Sequence, residues 1–534
     1  MKENKRDHNV FFNLHTVSGI VISVGLFIIF FAGAFALFRD EINLWHHNEI
    51  NQTEFTPKID YDRILAITKN EGYELEGRER ITIIQDKSYT NIIVRANTLI
   101  HKKDTLQILT KKDSFAKSAI NLKIDSKTYK ITSRKRTPKR YLGTFIYQLH
   151  YFKQIPFVGR YIAGFIALFF AFSIFTGIII HWKKIVSNFF TFRIKNSIKN
   201  LWTDAHAALG VLGIPFQLMY AITGTYLGVV SLLYVPSLFI VFDGSIDKAE
   251  QLISPPYVIT AEAQATNKQV KINPLIDNVL TDVNHDEING VFMKIKNFGK
   301  NDANISIDLI HNSVNKFAAS TTSLFRMSDG EKIYQKLIFD DYFKAYRRTL
   351  TTKLHYAQFG GYLTKITYFI LSVITCFVII SGVLVWLEAR ENKKYAAKAN
   401  FNRNVGAIYM GICMGLYPAI ALFFCLVKIL PSITKKEFSI SSSIFFLFWL
   451  AFIIYSFFIK SPYKINKKAL LFAGILGVLI PLLNGFQSGI WFFNAFQKGY
   501  VNSFFVDIIW LIVGIITLLT AFYAKPLKRK KEKR

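Results

Sequence analysis

His15-Thr16-Val17-Ser18-Gly19 opens a stretch without Asp, Glu, Lys or Arg that runs on to Phe38, and His206-Ala207-Ala208-Leu209-Gly210 opens a second such stretch. Both place a glycine four residues after the histidine and another 18 residues after it, at Gly33 and Gly224. A second pair of anchors lies between and beyond them. Leu149-His150-Tyr151 precedes an apolar run with Arg160 ten residues after the histidine and Thr176-Gly177 near its end. Leu354-His355-Tyr356 precedes another with Lys365 ten residues on and Ser381-Gly382 near its end, and the His-to-Gly offset is 27 in both. Four anchors in register make residues 1–390 a duplicated helix–insertion–helix unit. Each unit contributes two crossings, so the copies share one orientation and are related by an axis along the membrane normal.

Composition agrees. Of 534 residues, 51% are hydrophobic, 15% aromatic and only 19% charged, and the apolar residues come in blocks. That excludes disorder, a collagen-like chain and a small disulfide scaffold. The net charge of +30 gathers beside the hydrophobic runs, where it sets membrane orientation and gives no reason to invoke nucleic acid. The cysteines, Cys376, Cys413 and Cys425, stand in apolar segments outside any CxxC or CxxCH pattern. Structural zinc, a redox dithiol and covalently attached haem are therefore not indicated.

The expected fold is an all-α polytopic bundle of about eight membrane helices carrying two small α+β insertions. The first helix spans 10–38, and its uncharged length marks it as retained where a signal peptide would be shorter. An insertion follows at 39–158, then the second helix at 159–182, a basic loop at 183–205 and the third helix at 206–238. A second insertion at 239–354 leads to the fourth helix at 355–388, a loop at 389–404, four additional helices within 405–524 and a basic tail at 525–534. Lys183, Lys184, Arg193, Lys195 and Lys199, then Arg390, Lys393, Lys394, Lys398 and Arg403, then Lys460, Lys464, Lys467 and Lys468, and finally Lys528 to Lys531 all fall on one side. The bias toward basic residues in cytoplasmic loops puts both termini inside and both insertions outside. Arg80–Ile84, Asn91–Val94 and Asn304–Leu309 alternate like strands. Asn273-Pro274 reads as the cap and first turn of a helix.

An imidazole at a membrane helix end is costly without a partner, so a recurring one needs a reason. Two neutral imidazoles facing each other across a bundle supply both axial ligands of a haem iron. His15 with His206, and His150 with His355, would hold two haems near opposite faces of the membrane. Gly19 and Gly210 then leave room for a porphyrin, or else serve close helix packing. Arg160 and Lys365 suit haem propionates, or else anchor at the interface. His181, whose place Trp386 takes in the second copy, is an alternative ligand beside His15 and His206. Bis-histidine iron has no open position, which favours electron transfer over oxygen activation. Outside, Lys127 to Arg140 is densely basic, suited to lipid phosphate or to steering an anionic chelate.

His-x3-Gly at the first and third helices, with Leu-His before the second and fourth and Ser/Thr-Gly near their ends, resembles the PepSY-associated transmembrane family over roughly residues 10–390. That resemblance implies PepSY-like periplasmic domains for the two insertions, b-type haems ligated by His15, His150, His206 and His355, and a bacterial inner-membrane location. It also implies delivery of electrons to periplasmic ferric chelates such as siderophores. No GxGxxG after a strand, P-loop or ferredoxin-type cysteine cluster occurs, so electrons are expected from membrane quinol or a cytoplasmic reductase. The competing expectations are a non-enzymatic membrane sensor or protease regulator and, less favoured, a transporter. The transporter lacks support because the bundle segments carry almost no mid-membrane charge.

Overall fold

A computed structural model of the chain describes residues 5–49, 55–76, 80–86, 91–96, 120–134, 141–184, 187, 198–245, 264–266, 268–281, 283–311, 320–336, 350–390, 398–434 and 436–526. Among them are eight helices long and apolar enough to cross a membrane. Four belong to the duplicated part: α1 (Lys5–Ala36), α5 (Gly159–His181), α6 (Ile198–Phe242) and α8 (Gly361–Arg390). Four follow: α9 (Ala399–Ile429), α10 (Glu437–Ile459), α11 (Pro462–Ser488) and α12 (Val501–Tyr523). Long uncharged runs become helices because a lipid-exposed backbone must satisfy its own hydrogen bonds within the segment. Helix α11 has explicit ends: the Ser461 side chain accepts from Lys464 N, Pro462 occupies the first turn, and Gly489 stops the helix at φ +71°.

The four helices of the duplication close a ring in which α1 packs on α5, α5 on α6, α6 on α8, and α8 back on α1. At the α5–α6 contact a Cβ on Gly164 would lie 2.8 Å from the Gly228 Cα, so these helices meet backbone to backbone. The four additional helices pack on one another and lean on this ring through α9 and through α12, whose Trp510 and Phe505 stack on Phe35 of α1 and Tyr362 of α8. The third membrane helix is longer than its expected span of 206–238, because it begins at Ile198 and runs through Pro215 and Pro236. The fourth begins at Gly361, so His355 ends a separate helical stretch at 350–355. His150 likewise ends α4 (Leu142–His150), just before α5.

The two insertions do not remain separate domains. Strands β1 (Ile81–Asp86), β2 (Asn91–Ala96), β3 (Ile120–Asp125) and β4 (Ile131–Ser133) come from the first, and β5 (Ile288–Lys296), β6 (Asn304–His311), β7 (Ser320–Arg326) and β8 (Lys332–Lys336) from the second. They form one antiparallel sheet in the order β4-β3-β2-β1-β5-β6-β7-β8. The join is β1 on β5, from Ile81 opposite Ile295 to Asp86 opposite Gly290. Alone, each half would leave β1 or β5 as an unpaired edge. Joined, alternate residues such as Ile83, Val94, Met293 and Ile307 fill one shared core with α3 (Tyr61–Asn70) and α7 (Ile272–Leu280).

These two helices also cap each other. Asn273 was expected to cap its own helix, but Lys271 holds that position, and the Asn273 Oδ1 accepts from Tyr61 N at 2.9 Å on α3. In return the Asp62 carboxylate accepts from Ile272 N at 2.8 Å and Asn273 N at 3.0 Å. The first-turn amides of each helix, which lack intrahelical acceptors, are met by the other repeat. Of the basic stretch, 135–140 lie outside the described residues, and Arg134 is paired with Glu71 at 2.6 Å. Arg193, Lys195, Lys393, Lys394 and Lys528 to Lys531 also lie outside the described residues.

Candidate functional site

The fold brings the four repeated histidines together as two pairs. The His15 and His206 rings have centres 6.1 Å apart, and the His150 and His355 rings 5.9 Å apart. A metal bound by two imidazoles at about 2 Å per nitrogen, with each ring centre roughly 1 Å further out, separates the centres by about 6 Å. Each pair draws one ring from each repeat. The pairs sit toward opposite ends of the ring of helices: His15 is near the start of α1, whereas His150 meets α1 at Ile29 and Gly33. At 1.5 Å per residue that is a separation of about 21–27 Å along α1.

All four imidazoles are held through Nδ1. His15 donates to Ser173 O at 2.9 Å, His206 to Val378 O at 2.9 Å and His150 to Ile29 O at 2.7 Å. His355 Nδ1 lies 2.9 Å from Thr223 Oγ1, whose own proton goes to Met219 O at 2.7 Å, so the hydroxyl accepts. Among the described residues no hydrogen bond reaches the Nε2 of any of the four. Nδ1 tied to an acceptor and Nε2 left over is the arrangement that fixes the tautomer of a metal-ligating histidine. Burial keeps the sheet-side pair neutral: it lowers the His150 pKa and, with His150 alongside, pushes His355 down to about 3.

Glycines make these positions possible, through a rule the linear motif did not reveal. A Cβ on Gly33 would lie 2.8 Å from His150 Nδ1, and one on Gly177 would lie 3.2 Å from His15 Cε1. In the second repeat, Gly382 stands 3.0 Å from His206 Cε1 by the same measure and Gly224 3.9 Å from His355 Cε1. Gly33, Gly177 and Gly382 thus admit the histidine of the other helix in their repeat, whereas a Cβ on Gly224 would be in ordinary contact with His355 and would press on Ala167 Cβ at 3.2 Å. In the first three cases the Nδ1 acceptor is the carbonyl four residues before the glycine: Ile29, Ser173 and Val378. Thr176 and Ser381 add hydroxyls 3.3 Å from His15 and His206. The Ser/Thr-Gly pairs were legible as repeat anchors, but their partners across the bundle were not.

Gly19 and Gly210 behave differently. A Cβ on Gly19 would meet nothing within 4 Å, and one on Gly210 only Val378 at 4.0 Å. Neither is a tight helix contact; both face open space one turn from a paired histidine. On the sheet side a cavity of about 460 Å³ is lined by His150, His355, Gly33, Gly224, Arg160 and Tyr147 among others. That size suits a cofactor-scale ligand. Arg160 Nε donates to Leu227 O at 2.8 Å on the cavity wall, and the Tyr147 and Tyr356 hydroxyls meet at 3.0 Å nearby.

Lys365, the counterpart of Arg160, is not in that lining. Its Nζ pairs with Glu41 at 2.6 Å. His181 ends α5, one turn beyond Thr176 and Gly177, while His15 pairs with His206. Among the described residues no group of three or more His, Cys, Asp or Glu is placed to hold a metal ion.

No curated protein matches the chain. The family model for the PepSY-associated TM region matches residues 12–389, which takes in both repeats and all four paired histidines and stops before α9. The duplicated chain therefore belongs to the PepSY-associated transmembrane family.

Proposed function

We propose that this chain is a transmembrane electron-transfer protein that holds two b-type haems and delivers electrons to a ferric chelate, such as a siderophore, on the side of the sheet. The observation that carries this reading is the doubled imidazole geometry: ring centres 6.1 and 5.9 Å apart, every Nδ1 anchored, one pair toward each end of the bundle. His15 and His206 would hold one haem, His150 and His355 the other. When bound, each supplies one-electron transfer at an iron without an open coordination position.

The chain's own residues supply the rest. Nδ1 anchors keep Nε2 deprotonated and fixed in direction, which strengthens ligation. Gly33, Gly177 and Gly382 let the rings sit close to the helices, while Gly19 and Gly210 leave space beside the far pair. Arg160 places a fixed positive charge in the sheet-side cavity, suited to a propionate. With the basic loops on the cytoplasmic face of a bacterial inner membrane, the sheet and the His150–His355 pair face the periplasm. The electron donor is then a membrane quinol or a cytoplasmic reductase. Reduction frees iron because hard oxygen ligands hold the divalent ion less tightly than the trivalent one.

The test is direct. Protein purified from haem-replete cells should show a b-type spectrum on dithionite reduction with about two haems per chain, and the reduced protein should be reoxidised by a ferric chelate. A colourless preparation rejects the reading, and so does a stable reduced spectrum in the presence of ferric chelates.

A further inference from the structure

We propose that the last four helices, which lie beyond the family match, brace the sheet-side histidine pair and act on it through the short helix α2 (Arg39–His47). This rests on the dihaem reading only for its spectroscopic arm.

The two repeats differ at this point. In the second, α6 continues to Phe242 without interruption. In the first, α1 ends at Ala36 and the chain turns into α2, whose Glu41, Asn43, Trp45 and His46 are all buried. Four polar or amphipathic side chains buried on a nine-residue helix require partners, and the additional helices share in supplying them with α4 and α8. Lys428 on α9 donates from Nζ to Trp45 O at 2.7 Å and to Asn48 Oδ1 at 2.9 Å. It thus sits on the carbonyl end of α2, where a cation offsets unsatisfied acceptors and the helix dipole. Asp507 on α12 accepts from Trp45 Nε1 at 2.8 Å and from Asn484 of α11 at 2.8 Å. Two of the additional helices, α9 and α12, therefore bond one tryptophan, and α11 supports the Asp507 carboxylate that does so. Glu41 ties the same helix to α8 through Lys365 at 2.6 Å.

The other side of α2 holds α4. Asn43 Oδ1 accepts from Thr144 N at 3.0 Å, and Asn43 Nδ2 donates to Thr144 Oγ1 at 3.1 Å. His46 Nδ1 accepts from Leu142 N at 3.3 Å. Gly143 admits the Arg39 carbonyl so closely that a Cβ there would lie 2.3 Å from it. The first-turn amides of α4 are thus capped by α2 side chains, and the last residue of α4 is His150. A helix of nine residues transmits its orientation along its length. Trp45 and His46 are positioning residues for a ligand they do not touch.

The experiment uses the full chain in detergent, with Trp45→Phe, which removes the donor to Asp507 together with one ring of the side chain, and His46→Ala, which removes the acceptor for Leu142 N. Trp449→Phe is the control: Trp449 Nε1 donates to Ile412 O at 2.9 Å inside the same set of helices, and among the described residues no hydrogen bond or ring contact joins Trp449 itself to α2. Hydrogen exchange of the α4 amides, residues 142–150, should quicken about tenfold or more in the first two variants and stay unchanged in the control. Low-temperature paramagnetic resonance should show the His150–His355 haem signal shifted or broadened and the His15–His206 signal unchanged. Wild-type α4 exchange in both variants overturns the proposal, as does equal acceleration in the control or an equal shift of both haem signals. A wild-type chain without haem defeats the dihaem reading instead, and the exchange arm then decides the brace alone.

Discussion

Replacing Gly33 with Ala adds one methyl group at a point where the structure leaves no room. The new carbon would stand 2.8 Å from His150 Nδ1 and 3.0 Å from Cε1. Ordinary contact needs about 3.5 Å, so the ring must retreat by roughly 0.7 Å. The 2.7 Å bond from Nδ1 to Ile29 O then stretches to or past the limit of a good hydrogen bond. Overpacking of this kind costs about 1–3 kcal/mol, which at 1.4 kcal/mol per tenfold corresponds to a roughly 5- to 150-fold loss of affinity at that site. The assay is haem per chain from the reduced spectrum, read with potentiometry that separates the two haems. The expected result is loss of the sheet-side haem with the other retained. Full retention of both haems with unchanged potentials refutes the claim that this glycine exists to seat the imidazole.

Three further outcomes follow from the same geometry. Thr223→Val keeps the shape but removes the acceptor for His355 Nδ1, so affinity at the sheet-side site should fall about 10- to 100-fold, measured by haem titration of the stripped protein. Gly19→Ala adds a methyl that meets nothing within 4 Å; the haem-free chain should melt at the wild-type temperature or slightly higher, whereas haem retention at the His15–His206 site should drop at least fivefold. The third concerns pH. His355 is buried with its pKa near 3, against about 6.5 in an unfolded chain. A group depressed on folding binds its proton in the unfolded state first, so the stability it contributes is complete above pH 6.5 and is lost as pH falls toward 3. The loss is about 1.4 kcal/mol per unit, or roughly 2 kcal/mol by pH 5, and denaturant melts of the haem-free protein between pH 7 and 4.5 should show it.

Periodicity and repetition revealed the parts of this molecule that depend on residues close in sequence. Long apolar runs, matched histidines at fixed offsets, and strands such as Asn304–Leu309 all express local rules, and each is present in the structure. What escaped depends on partners far along the chain. Gly33 gives no sign in its own neighbourhood that His150 will press against it. The union of two insertions in one sheet needs β1 and β5, more than 200 residues apart, to find each other. Asn273 looked like a cap and is one, but for the helix of the other repeat. Lys365 resembled Arg160 by spacing, yet Glu41, an unremarked residue of the first insertion, takes its charge. Lys428 and Asp507 were passed over because each sits in an apolar run; their meaning appears only when Trp45 lies between them.

The account stands on which histidines share an iron. Haem content of the four single variants His15→Ala, His206→Ala, His150→Ala and His355→Ala, each resolved by potentiometry into its two components, tests that most directly. The first two should lose one and the same haem, and the last two should lose the other, with the surviving haem at its wild-type potential in every case. Unchanged haem content in any variant, or losses that pair His15 with His150 and His206 with His355, would contradict it.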